Sequence, residues 1–441
     1  MTSTMKNQRI AKKYSLKNRK WSYRGEGNAN LVLSIIKERK ILRLRKSLPN
    51  EKNGEELERI WREMDFCKGV MLPLLGERFV NVPTVVRLQQ SELLELNDLL
   101  KSFRPVYRHN KGLYADHAAI FPDLCLLPDA PVTPWEPTFC VEVKPKQGWI
   151  PISDRRLSKC TFCLNQYYKL KQGTVKEKSH YCPLDLFSGN RARMKSAIKS
   201  LLICPQNNFK MFKNGNLVYG DSLDENFESI LIDWFGCYDI DKLIDNFTNL
   251  VVDALISDLN ESHSPLNEIN IRNGEKNISN SHSRIPKNLL DEAQSLLSGP
   301  TCYRDMESLP RNCILSRILQ VQKLDQVGSD EVYYLYKSLL RRDDYGYVYD
   351  LLRSPHNIFK PINSYLLATT AKDCSVLIAF KKTPIDESDY EYSVKDLNDI
   401  CYTFNIGVSD LDPKPMSCIE KHRKRDYDVV VNCIEVLRSQ K

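Results

Sequence analysis

The chain opens its first clear pattern at Trp21. The run Trp21-Ser22-Tyr23 meets Gly25-Glu26-Gly27-Asn28 and then the apolar Leu31-Val32-Leu33, which predicts a strand, a glycine turn and a second strand. Lys40-Ile41-Leu42-Arg43-Leu44-Arg45 alternates strictly. A strand there turns Leu42 and Leu44 to one face and Ile41, Arg43 and Arg45 to the other. Apolar spacing predicts helices over 55–75 and 89–101. Thr138 to Lys144 alternates again, with Phe139, Val141 and Val143 facing a core and Glu142 and Lys144 on the opposite face. Pro145 ends that strand and Gly148 follows.

Further on, Met194, Ala197, Ile198, Leu201 and Leu202 mark the buried face of a helix over 190–203, with Ser188 as its N-cap. Asn214-Gly215, at the centre of Phe209–Tyr219, supplies the positive φ angles of a tight hairpin. Ser375 to Phe380 is a continuous apolar run, expected as a buried strand, with Asp373 just before it. Tyr402 to Val408 is expected as another strand, with Asp410 and Asp412 just after it. Residues 260–288, rich in Asn and Ser, are expected as an exposed or disordered insert, and Pro134–Pro137 as a linker. Residues 1–20 carry Lys12, Lys13, Arg19 and Lys20 without an acid and are expected as a solvated arm that could serve nuclear import.

Composition narrows the picture. A chain of 441 residues with 42% hydrophobic and 27% charged residues is neither disordered nor fibrous, and it is long enough for two or three folding units or one two-lobed one. No uncharged apolar stretch is long enough to span a bilayer, so no membrane partner is expected, and the N-terminus lacks a secretory core. A cytoplasmic or nuclear address is the expectation. The net charge of +8 suits an anionic partner or simply a basic surface.

Several groups of residues can carry chemistry. Glycines at 25 and 27 allow backbone N–H groups to approach phosphate oxygens, with Arg43 on a neighbouring strand; an ordinary hairpin turn is the plainer reading. Glu142 and Lys144 could form a structural ion pair, or Lys144 and Lys146 could clamp phosphates. Asp373 and Asp410 at strand ends suit magnesium or a hydroxyl proton; Asp412 reads as a turn cap. Cys160 and Cys163 form a CxxC knuckle with Cys182 further on, which is structural-zinc spacing with His180 as a candidate fourth ligand. Lys169, Arg191, Asn207, Asn208, Lys210, Lys414 and the run Lys421–Arg425 would make a polyanion pocket if they converged.

Taken in order, Gly25-Glu26-Gly27-Asn28, Glu142-Val143-Lys144-Pro145-Lys146, Tyr181 to Gly189, Pro205-Gln206-Asn207-Asn208, Ala371-Lys372-Asp373-Cys374-Ser375 and Asp410-Leu411-Asp412-Pro413-Lys414-Pro415 resemble the inositol-pentakisphosphate 2-kinase family. The resemblance runs from Trp21 to about Arg425 and is weakest over 225–360. It implies an α+β, two-lobed kinase-like fold, with an N-lobe over 21–137 holding an antiparallel sheet and a larger α/β C-lobe over 138–441. It also implies transfer of phosphate from ATP to the axial 2-hydroxyl of inositol 1,3,4,5,6-pentakisphosphate. Carried over by motif, Gly25, Glu26, Gly27, Asn28, Arg43 and Glu142 would meet the nucleotide. Lys144, Lys146, Lys169, Asn207, Asn208, Lys210, Lys414 and Arg423 would meet inositide phosphates, joined by Arg104 or Arg108. Lys144, Asp373 and Asp410 would be catalytic, with Mg2+ on the two acids, and the cysteines resemble the zinc site of animal members. The chain departs from the family at Pro413, at Cys418, where plant members carry a basic contact, and at Asn165, where a histidine is usual. The triplet His-Arg-Asp of protein kinases is absent, which argues against a protein substrate.

Two other readings stay open at this point: a kinase of another inositol phosphate, and a non-catalytic zinc and basic-patch binder. A monomer without a nucleic-acid partner is expected. The kinase reading requires the lysines at 144 and 146 to lie within side-chain reach of Asp373 and Asp410.

Overall fold

The computed structural model describes residues 9, 11–48, 53–128, 136–221, 223, 226–259, 283–339, 343–383 and 392–440. It is a mixed α+β structure with two six-stranded sheets.

The first sheet is built from β1 (Lys12–Lys13), β2 (Trp21–Glu26), β3 (Asn30–Ile35), β4 (Lys40–Arg45), β5 (Thr84–Arg87) and β6 (His117–Pro122), in the order β1-β5-β6-β4-β3-β2. The glycine turn joins β2 to β3 as an antiparallel pair, and Gly27 N–H donates to Asn30 O at 2.9 Å. Pairing slips by one residue between Tyr23 and Gly25, where Gly25 has φ 150°, a bulge that a side chain would strain. Leu42 and Leu44 are buried against Leu31, Leu33 and the helix Gln90–Leu100, as the alternation requires. The predicted first helix runs Asn53–Phe66 and continues through a π-turn, Cys67–Met71, to Leu75.

Residues 11–20 are not a solvated arm. Lys12 and Lys13 pair with β5, and Leu16 is 5% exposed with its N–H on the Glu92 carboxylate. The apolar Leu16 inside a basic stretch is what anchors it. Residues 1–8 and 10 lie outside the described residues, as do Pro134 and Trp135 of the expected linker.

The second sheet contains β7 (Phe139–Val143), β8 (Phe209–Lys213), β9 (Asn216–Gly220), β10 (Ser375–Lys382), β11 (Ser393–Lys395) and β12 (Cys401–Ser409), in the order β11-β12-β10-β7-β8-β9. Its pairings are all antiparallel. Asn214 and Gly215 sit at φ 48° and 79°, as the β8–β9 turn requires. Val141, Val143, Val376, Ile378, Ile406 and Val408 enter the large core, while Cys140 and Ala379 pack on the opposite face. Phe66, Met71, Leu75 and Phe79 share that large core, so the chain before β5 is built into the second sheet's side as well.

The helix Arg191–Ile203 is capped by Asn190, whose Oδ1 accepts from Arg193 N–H, and not by Ser188. Ser188 is fully buried and donates to Asp185 O at 2.7 Å, so its hydroxyl is already committed one turn earlier. Of the expected insert, 260–282 lies outside the described residues. Residues 283–288 are structured instead: Ile285 is 6% exposed and a helix, Lys287–Leu296, begins there. Among the described residues no helix is long and apolar enough to cross a membrane.

Gly148 is fixed by packing. A Cβ there would lie 2.2 Å from the Phe187 ring. Gly148→Ala is expected to destabilise the protein by about 1–3 kcal/mol, the usual cost of overpacking, and to lower Tm in a calorimetric scan. An unchanged Tm would show that Phe187 can move aside.

Candidate active site

Register builds the site. β10 runs antiparallel to both neighbours, with Val376 opposite Val143 and Ser375 opposite Ser409. The residues just beyond these pairs therefore emerge together at one sheet end: Lys144 after β7, Asp373 before β10 and Asp410 after β12. Lys144 Nζ lies 3.0 Å from Asp410 Oδ2. Lys146 Nζ lies 3.2 Å from Asp373 Oδ1, and Lys414 Nζ 2.6 Å from Asp373 Oδ2. The requirement set by the sequence is met. Lys146 and Asp410 hold φ of 58° and 60°, a left-handed backbone that non-glycine residues rarely adopt.

The electrostatics follow. Crowding at the sheet end opposes ionisation of Asp373, but Lys146, Lys414 and Lys144 outweigh it and hold the carboxyl down at about 2. Asp410 is likewise lowered, against burial, by Lys144 and Arg43. Lys146 is lowered, first by burial and then by Lys144, with Asp373 opposing. Both carboxylates keep about half their side-chain surface open, 52% and 53%, so a ligand can reach them.

Lys146, Asp373 and Lys414 line a cavity of 390 Å³ that also receives Lys372, His422 and Arg425. His422, Arg425, Asp426 and Val429 are spaced i, i+3, i+4, i+7 on the helix Cys418–Ser439, so one face lines the cavity. That spacing was readable in the sequence; reading the basic run as a patch hid it. Arg423 points elsewhere, with its Nε 2.6 Å from Asp330 and its guanidinium over Tyr333. The cavity-lining cation of the run is Arg425. Its guanidinium donates to Asn165 Oδ1 at 2.9 Å. The far end of the cavity is acidic, where burial, Asp426 and Asp325 push Asp154 up to about 7.

Other expected contacts are placed as follows. Lys169 donates to Gln206 at 2.8 Å and is lowered by burial and by Lys146 and Arg425. Asn207 is exposed. Asn208 is 2% exposed, and its side-chain amide finds no hydrogen-bond partner among the described residues, though its backbone O accepts from Lys144 N–H at 2.9 Å. Lys210 pairs with Glu142 at 3.4 Å, and Ser375 Oγ bridges Glu142 and Asp410 at 2.9 and 3.3 Å. The Glu142–Lys144 pair considered from sequence does not form: Glu142 takes Lys210 across the β7–β8 pair, and Lys144 takes Asp410 beyond β12. Arg191 pairs with Asp253.

On the first sheet, Cβ atoms at Gly25 and Gly27 would meet nothing within 4 Å, so the turn faces open space. Glu26 turns its side chain inward to Lys46 and Arg104, leaving 1% of that side chain exposed. Arg104 is thereby buried in the first sheet and is not displayed to a ligand, while Arg108 donates to Glu26 O. Arg43 meets Asp412 with both guanidinium nitrogens, at 3.0 and 2.9 Å, and Glu63 at 3.3 Å. Asp412 is therefore not a turn cap; it ties the site loop to β4.

Cys160, Cys163, Cys182 and Cys302 have sulfurs within 4.8 Å of one another. The fourth thiol is Cys302, brought in from a distant segment, and not His180, which is exposed. Tetrahedral Zn–S bonds of about 2.3 Å put sulfurs ~3.8 Å apart. Cys160–Cys182 at 3.9 Å and Cys163–Cys302 at 3.8 Å fit that edge.

Ammonium groups interleaved with half-open carboxylates at one sheet end are suited to handling phosphate groups. A model of the inositol-pentakisphosphate 2-kinase family matches residues 23–428, and the chain belongs to that family. Proteins named inositol-pentakisphosphate 2-kinase are similar to it: one from Danio rerio at 32% identity, covering 93% of this chain and 92% of its own, and one from Arabidopsis thaliana at 26% with the same coverage. One from Drosophila melanogaster is 28% identical over 45% of this chain and 48% of its own.

Two measurements check this geometry. Elemental analysis is expected to find zinc with the protein, Cys302→Ser and Cys160→Ser should each remove most of it, and His180→Ala should leave it unchanged; no zinc in the unmutated protein would end the metal reading. The folded carboxyl of Asp373 lies below its ordinary value, so its contribution to stability is present above about pH 3.9 and is lost as pH falls toward 2. Asp373→Asn should therefore lower Tm at neutral pH, with the difference closing over that window. A difference independent of pH would separate Asp373 from its lysines.

Proposed function

We propose that the protein transfers the γ-phosphoryl group of ATP to the axial 2-hydroxyl of inositol 1,3,4,5,6-pentakisphosphate, giving inositol hexakisphosphate. The observation that carries this reading is the convergence of Lys144, Lys146, Lys414, Asp373 and Asp410 at one sheet end. Family membership and the coverage of the Danio rerio relative support it. We read the two sheets as the two lobes of a kinase-like arrangement, over 21–137 and 138–441 except that residues 66–80 pack into the second sheet's core, with ATP between the glycine turn and the second sheet. The zinc site is read as structural.

Lys146, Lys414 and Arg425 would bind inositide phosphates and orient the ring, each through charge-assisted hydrogen bonds. The Asn208 side chain is unpartnered among the described residues but buried, so its amide would reach a phosphate only where the chain covering it moves aside. Lys144 would neutralise charge on the transferring group. The acids Asp410 and Asp373 are oxygen ligands suited to Mg2+, which when bound would offset charge on the β and γ phosphates. Asp373 would receive or orient the 2-hydroxyl proton. Held at about 2, it is a weak base. Substrate phosphates that draw Lys146 and Lys414 away would raise its basicity at the moment it is needed. Arg43, engaged by Asp412 and Glu63, is read as a strut between β4 and the Asp410 loop that meets the nucleotide only by exchanging a partner.

The test is an ATP-dependent assay on purified pentakisphosphate, with the position of the new phosphate read by phosphorus NMR. Lys144→Ala and Asp373→Ala should each lose at least about 100-fold in kcat. A product phosphorylated elsewhere, or none, would end the proposal. Faster turnover of another inositol phosphate would move the substrate.

A further inference from the structure

Resting on that functional reading, the structure points to a residue that the motifs do not contain. Gln322 ends the helix Ile314–Gln322, is fully buried, and uses its whole amide. Its Oε1 accepts from Gly148 N–H at 2.7 Å and Trp149 N–H at 3.2 Å. Its Nε2 donates to Lys146 O at 2.8 Å and Ala371 O at 3.2 Å.

These partners belong to the two backbones that carry the site. Lys146, Gly148 and Trp149 form the loop after β7. Ala371 lies in the last turn of the helix Pro361–Asp373, where carbonyls lack partners within the helix. Lys146 and Asp373 face each other at 3.2 Å, yet their side chains are long or half-open and cannot fix that spacing by themselves. The loop backbone departs from any regular ladder, since Lys146 has φ 58°. Tyr181 Oη holds it from the other side, donating to Pro145 O at 2.8 Å. Gln322 is the one side chain hydrogen-bonded both to the loop and to the helix end among the described residues.

We propose that Gln322 is a positioning residue, which sets the distance between the Lys146 loop and the Asp373 helix end and so aligns the ammonium and the carboxylate at the reacting centre. An amide is required because the four partners need two acceptor and two donor sites at once. Glu of the same shape lacks the two donors, and Met lacks all four.

The test is a double-mutant cycle of Gln322→Met and Lys146→Ala in the full-length protein. Gln322→Met should lower kcat about 10- to 100-fold, as for a misaligned or unsupported catalytic group, with KM for ATP within about twofold. In the Lys146→Ala background the same change should cost little more, because the two act through one geometry. Gln322→Glu should resemble Gln322→Met in kcat, which separates donor loss from lost volume. The cycle is also read by calorimetry of pentakisphosphate binding, which needs no turnover. An unmutated protein that binds but does not turn over pentakisphosphate, with the binding cycle coupled, sinks the kinase reading and leaves this inference standing. Independent, multiplying effects in both readouts, or unchanged kcat and binding in Gln322→Met, overturn it.

Discussion

The site depends on mutual neutralisation of charges that would otherwise expel one another. Lys144, Lys146 and Lys414 gather at one sheet end, and two unit charges a few ångströms apart repel by about 4 kcal/mol at an effective dielectric of 20. Asp410 and Asp373 make the gathering tolerable by standing between them. The same carboxylates are half open, so a polyphosphate can replace them as the counterions of the lysines. A site whose charges are satisfied by its own side chains, and whose internal pairs a ligand can exchange, is what an enzyme acting on a highly charged small molecule needs.

An ion pair, Arg43–Asp412, ties the first sheet to this centre, and a buried pair of its own stiffens the turn. Glu26 anchors Lys46 and Arg104 behind the glycine turn, leaving the front of the turn open. Arg43 spans from β4 to Asp412, two residues beyond Asp410. Such pairs contribute little net stability once desolvation is counted. Their effect is to fix which backbone faces which, and here Arg43–Asp412 fixes β4 relative to the loop after Asp410.

Neutral groups support the loop between the lysines. Gln322, Tyr181 and the tight contact of Gly148 with Phe187 hold Pro145 to Trp149 in an irregular path. Tyr181 also immediately precedes Cys182, so the cysteine cluster is built onto the same support. Zinc there would clamp segments at 160, 182 and 302 that share no secondary structure.

Much of this was legible locally. Alternation over 40–45 and 138–144, the Asn214-Gly215 turn and the helix at 190–203 are set by short-range sterics and periodic burial, and they appear as read apart from the cap at Asn190. The docked segment at 11–20 was misread because one buried leucine outweighs the surrounding lysines only when a sheet edge is there to receive it. Ordered motifs revealed the family. Partner choice was not legible. Cys302 in place of His180, Arg425 in place of Arg423, Asp412 on Arg43, Arg104 on Glu26 and the whole role of Gln322 arise from contacts between residues tens to hundreds of positions apart. Local sequence determines which backbone each segment prefers and which chemistry it carries. Which side chains meet is decided only when sheet register and helix packing close those long loops, because hydrogen bonds and ion pairs act over a few ångströms and have no counterpart along the chain.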